Sequence, residues 1–128
     1  CGGGENHRTG LYDGILIKDN HIGLVGIRRA VESAKPTGKK IEVEAKTLAE
    51  VREALESGTD IVMLDNMKIA GMKKAVSIIG KRATIEVSGG VTEDNIGAIA
   101  RLGVDWISVG ALTHSVRSVD IGMDVERI

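Results

Sequence analysis

Phenylalanine is missing from this sequence, and tryptophan, tyrosine, proline and cysteine occur once each. The lone cysteine, Cys1, provides no disulfide framework. It fits a reducing compartment, so the expected location is the cytoplasm. Charge of one sign is also lacking: the formal net charge is −1, which favours neither a nucleic acid nor an anionic membrane surface as partner. No apolar run approaches the roughly 20 residues of a membrane-spanning helix.

What the sequence does have is glycine, 17 of them in 128 residues, with much Ala, Val and Ile. That balance suits a tightly wound α/β fold whose turns carry the glycines. The length allows one domain with one core, residues 1–128. The chain opens on Cys-Gly-Gly-Gly without an initiator Met, so it is expected to be a piece of a longer protein.

Taken in order, residues 1–13 read as a loop presenting His7 and Arg8. A strand Gly14–Lys18 follows, then Asp19-Asn20-His21, then a helix over about 23–35 with Leu24, Ile27, Val31 and Ala34 on one stripe. Pro36 and Gly38 stop it. A strand at 40–45 leads to Thr47-Leu-Ala-Glu50, which matches a capping box. The helix it starts carries Leu48, Val51 and Leu55 and ends at Gly58. A strand at 60–65 leads to a helix over about 67–79, ended by Gly80. A strand at 83–88 runs into Gly89-Gly90, and Thr92 opens a helix ended by Gly103. The last strand is 105–109, and Ala111–Ile128 holds at most a short helix. Gly58-x-Asp60 and Gly103-x-Asp105 form a weak repeat before two of the strands.

Five βα units in succession, at spacings of roughly 20–27 residues, predict parallel strands. An eight-unit barrel needs about 250 residues, so the expected fold is a small open α/β domain or the later part of an incomplete TIM-like α/β barrel.

Strand alternation then separates two faces. Ile15/Ile17, Val43/Ala45, Val62/Leu64, Ile85/Val87 and Ile107/Val109 are all apolar and belong under helices. The opposite face carries Leu16/Lys18, Glu42/Glu44, Met63/Asp65, Thr84/Glu86/Ser88 and Trp106/Ser108/Gly110. Each strand thus ends, on this inner face, in Lys18, Glu44, Asp65, Ser88 or Gly110. Active sites of such folds lie at the C-terminal ends of the strands. Glu42 and Glu86 sit deeper, where an internal ion pair with Lys18 is the structural alternative. Ser88-Gly89-Gly90 and Ser108-Val-Gly110 are expected to cradle phosphate with backbone N–H groups. His7, Arg8 and Lys18 supply cationic groups for a carboxylate. Glu44 and Asp65 have the oxygen ligands Mg²⁺ favours, or else they stabilise a cationic transition state; the residues alone leave both open. His21 and His114 are expected in loops.

Gly2-Gly-Gly-Glu-Asn-His-Arg-Thr-Gly-Leu-Tyr-Asp-Gly-Ile-Leu-Ile-Lys-Asp-Asn-His21 resembles the central signature of the quinolinate phosphoribosyltransferase family. Glu42-Val-Glu44, Met63-Leu-Asp-Asn66, Ser88-Gly-Gly90 and Ser108-Val-Gly-Ala-Leu-Thr-His-Ser115 follow in the family's order. The resemblance covers essentially the whole chain. It implies transfer of phosphoribosyl from phosphoribosyl pyrophosphate to quinolinate with decarboxylation. The products are nicotinate mononucleotide, pyrophosphate and CO₂, on the de novo route to NAD. By resemblance, His7, Arg8 and Lys18 hold the quinolinate carboxylates. Glu44 and Asp65 lie by the ribose and Mg²⁺-pyrophosphate, and Ser88, Gly89, Gly90 and Gly110 hold phosphate. Lys18, Glu44 and Asp65 are the residues expected nearest the chemistry. Family members are about twice as long, with an N-terminal domain and earlier barrel strands, and their sites are completed by a partner subunit. A homo-oligomer is therefore implied, and the 128-residue chain is expected to be inactive alone. Two other readings are a molybdenum-operon type paralogue with another acceptor and a non-catalytic half-barrel that binds a phosphate ligand.

Overall fold

The computed structural model describes residues 2–8, 10–116 and 118–126. Strand β1 (Ile15–Ile17) is followed by helices α1 (Asp19–Val25) and α2 (Ile27–Ala34). Then β2 (Ile41–Ala45), α3 (Leu48–Ser57), β3 (Ile61–Asp65), α4 (Ile69–Ile79), β4 (Thr84–Ser88), α5 (Glu93–Ala100), β5 (Trp106–Ile107) and the short α6 (Ala111–His114) alternate. The five strands form one parallel sheet in chain order, β1-β2-β3-β4-β5. Parallel neighbours need a crossover between them, and here each crossover is helical.

The apolar face is where alternation puts it. Val43, Ala45, Val62, Leu64 and Val87 are completely buried, packed with Ile27 and Val31 of α2, Val51 and Ala54 of α3, and Met72, Ala75 and Ile79 of α4. Each fully buried aliphatic side chain contributes about 1.5–3 kcal/mol relative to exposure. The Thr47 capping box forms as expected: the Glu50 N–H donates to Thr47 Oγ1 (3.2 Å) and the Thr47 N–H to Glu50 Oε2 (2.9 Å).

The Gly-x-Asp repeat has a structural cause. Gly58 and Gly103 take left-handed φ values of 78° and 77° at the ends of α3 and of the turn after α5. Asp60 and Asp105 then each accept a 2.8 Å hydrogen bond from an N–H near the start of the preceding strand, Ile41 and Ile85 respectively. Each acid also donates its own backbone N–H back across the same pair of strands, Asp60 to Ile41 O and Asp105 to Ile85 O.

Two expectations need correction. The helix read over 23–35 is two helices, beginning at Asp19 and broken at Gly26 (φ 78°, ψ 160°), a conformation only glycine adopts readily. The break frees Leu24 from the stripe of Ile27, Val31 and Ala34, and it lies 84% exposed. His21 and His114 are not in loops: they belong to α1 and α6.

Candidate active site

The C-terminal ends of β1, β2 and β3 bring a cluster of charges together. Glu44 is buried although it ends its strand, and its Oε2 has no hydrogen-bond partner. Burial, then the neighbouring Asp65 carboxylate, raises the Glu44 pKa, while the charge of Lys18 opposes the rise. The site thus holds two crowded carboxylates with a cation alongside. Lys46 Nζ closes the rim, 2.7 Å from Asp19 Oδ2 and 3.8 Å from Asp65 Oδ2. The hydrogen bond from Lys46 lowers the Asp19 pKa, and Asp19 in turn raises that of Lys46. Lys46 lies one residue beyond its strand, outside the set of strand ends that alternation marks. Its parity, continuing Glu42 and Glu44, was the available signal.

Asn66 ties this rim to the next strand. It has φ 51°, its side chain donates to Asp65 Oδ1 (2.9 Å), and its N–H donates to Ser88 O (2.9 Å). A Cβ on Gly89 would lie 2.5 Å from the Asn66 amide, and Gly89 itself has φ 83°. Glycine is therefore required there both for its backbone and for its lack of a side chain. Gly90 also has a positive φ, and its carbonyl accepts from Asn95 Nδ2 (2.8 Å) at the start of α5. A Cβ on Gly110 would meet the His114 ring at 2.8 Å. Ser88, Gly89, Gly90 and Gly110 thus lie in two turns that follow adjacent strands.

A second cluster lies deeper on the same face. His7 Nε2 is 3.0 Å from Glu42 Oε2 and 3.4 Å from Glu86 Oε2. Ser108 Oγ donates to Glu86 Oε1 at 2.6 Å. Glu42 and Glu86 are 6% and 1% exposed. Burial, then the Glu86 charge, pushes the Glu42 carboxyl up to about 7, with His7 acting in the opposite direction. The partner of these two acids is therefore His7, where the structural alternative had named Lys18. One ligand atom from each of His7, Glu42 and Glu86 lies within 4.8 Å of the others, a spacing at which a metal ion could also sit. Arg8 lines a cavity of about 130 Å³ with His7, Asp13, Lys40, Glu42 and Trp106. The first loop thus places His7 and Arg8 below the rim, at the level of Glu42 and the strand starts, while Lys18 stays at the strand end with Glu44.

A sequence model of the quinolinate phosphoribosyl transferase C-terminal domain matches residues 1–124. The chain belongs to that family. A probable nicotinate-nucleotide pyrophosphorylase (carboxylating) of Methanocaldococcus jannaschii is 51% identical over 98% of this chain and 48% of its own length. The solved nicotinate-nucleotide pyrophosphorylase of Ehrlichia chaffeensis superposes with TM-score 0.91 at 42% identity, covering 98% of this chain and 47% of that one. That of Francisella tularensis gives 0.87 at 47% identity, covering 94% of this chain and 44% of that one. The chain therefore spans about half the length of the quinolinate phosphoribosyltransferases it matches. Its five-stranded parallel sheet is the barrel portion of that family's fold. No helix among the described residues is long and apolar enough to cross a membrane.

Proposed function

We propose that this chain is the barrel portion of an enzyme that transfers phosphoribosyl from phosphoribosyl pyrophosphate to quinolinate, releasing pyrophosphate and CO₂. The observation that carries the reading is the crowded Glu44–Asp65 pair beside Lys18, at the strand ends of a chain from this family. As pyrophosphate leaves C1 of the ribose, positive charge builds on the sugar, and two fixed carboxylates favour that charge. Their like charges disfavour the empty ground state, so the interaction strengthens as the cation develops. The pyridine nitrogen attacks C1 as the bond to pyrophosphate breaks; once it is quaternary, the C2–carboxylate bond breaks to release CO₂, and the electron pair left on C2 takes a proton from solvent. The acceptor spans two levels of the inner face: Lys18 at the rim meets one carboxylate and His7 with Arg8 below it the other, while the Ser88–Gly90 and Gly110 turns hold phosphate.

The donor set also suits Mg²⁺: carboxylate oxygens from Glu44 and Asp65, one of them buried and without a partner. Bound there, the ion would neutralise charge on the leaving pyrophosphate. Lys46, ion-paired to Asp19 and reaching Asp65, is the cation that such binding displaces or joins.

Calorimetric titration of the chain with quinolinate and with nicotinate, with and without phosphoribosyl pyrophosphate and Mg²⁺, tests this. Selective binding of the dicarboxylate is expected. Equal binding of nicotinate, or none by a folded chain, would argue against quinolinate as the acceptor. Turnover by the isolated chain is not expected, because about half of the relatives' length lies outside it.

A further inference from the structure

His7 belongs to an arm, residues 2–8, that has no helix or strand. No backbone ladder fixes the orientation of its ring, so side-chain contacts must. Those contacts are with two acids on the most rigid part of the molecule. Glu42 lies on β2 and Glu86 on β4, two strands apart, and both reach the same ring nitrogen. Glu86 is oriented in turn by Ser108 Oγ. The arrangement is a costly one for a core. Two adjacent carboxylates are more than nine-tenths buried, and Glu42 Oε1 and Glu86 Oε2 lack hydrogen-bond partners. An apolar pair would fill the same space with less penalty, so packing alone does not account for them.

We propose that Glu42 and Glu86 are positioning residues: they hold the His7 ring by its Nε2–H and, in the doubly protonated ring that two carboxylates favour, leave the Nδ1–H to donate to an anionic group of the substrate. The inference rests on the function proposed above only for the identity of that substrate. Among the described residues, Nδ1 of His7 has no partner, while Nε2 is committed. Ser108 is the outer support, through Glu86. In Glu42→Gln the amide oxygen can accept the Nε2 proton at the same distance while the Glu86 carboxylate stays beside the ring, whereas an alanine leaves no acceptor there.

The test joins ¹⁵N-edited spectra of the His7 ring to calorimetry on the wild-type chain, Glu42→Gln, Glu42→Ala and Ser108→Ala, with folding checked by circular dichroism. In the wild type, Nε2 should show a hydrogen-bonded proton, and quinolinate should shift Nδ1. Glu42→Ala should lose the Nε2 signature and weaken quinolinate about tenfold, the loss expected of one charge-assisted hydrogen bond, with pyrophosphate affinity unchanged. Glu42→Gln should restore both to near wild type, and Ser108→Ala should fall between. An unchanged ring spectrum in folded Glu42→Ala would overturn the proposal, as would a stoichiometric Zn²⁺ or Mn²⁺ ion bound at Nε2. If the wild type fails to bind quinolinate, the ring spectra still decide the positioning role, and only the proposed substrate is lost.

Discussion

At the scale of single residues, Glu42 sets a pH dependence. A carboxyl whose folded-state pKa lies above its unfolded value holds its proton more tightly when folded. Its stabilising contribution is thus fully present below the ordinary value of 4.5 and is lost as pH rises through about 7. The chain should lose on the order of 2 kcal/mol over that window. Urea melts at stepped pH should show the decline, and Glu42→Gln should flatten it. A wild-type midpoint that stays level across the window would contradict this. Gly89 offers a second residue-scale prediction. Gly89→Ala must adopt φ 83° and displace the Asn66 amide, so a loss of about 1–3 kcal/mol is expected in the same melts.

At the scale of elements, the Gly-x-Asp repeat predicts paired effects. Asp60→Ala and Asp105→Ala should each cost about 1–2 kcal/mol by leaving a strand N–H without its acceptor. The two losses should be similar because the geometry is. A change at one site that costs nothing would show that water replaces the carboxylate there. This repeat was legible in the sequence as a pattern without a reason; hydrogen bonds across strands are invisible until register is known. The strands themselves were legible because alternation is a local property, and so were the helix stops at Gly58 and Gly80. The break at Gly26 was not, since Leu24 and Ile27 continue the helical spacing across it. The rim residues Glu44, Asp65 and Lys18 followed from parity. The partner of Glu42 and Glu86 did not, because His7 comes from an arm whose path no period records.

At the scale of the whole molecule, the sheet ends in two open edges among the described residues, β1 and β5. Trp106 on β5 is 47% exposed, and Leu112, Val116, Val119, Ile121, Met123 and Val125 beyond it are more so. Unpaired edges with apolar neighbours invite association. The isolated chain should therefore sediment as a concentration-dependent mixture of sizes, and a single monomeric species at all concentrations would refute this.

The strict order of the strands has a further consequence. Paired residues lie only 19 (Glu42 with Ile61) to 26 (Ile15 with Ile41) positions apart along the chain. Closing such short loops costs little entropy, and topologies built from near neighbours fold quickly. Every strand after the first meets a partner that was synthesised just before it. On the ribosome, then, the sheet can widen in the direction of translation, one βα unit at a time, without waiting for distant segments to emerge.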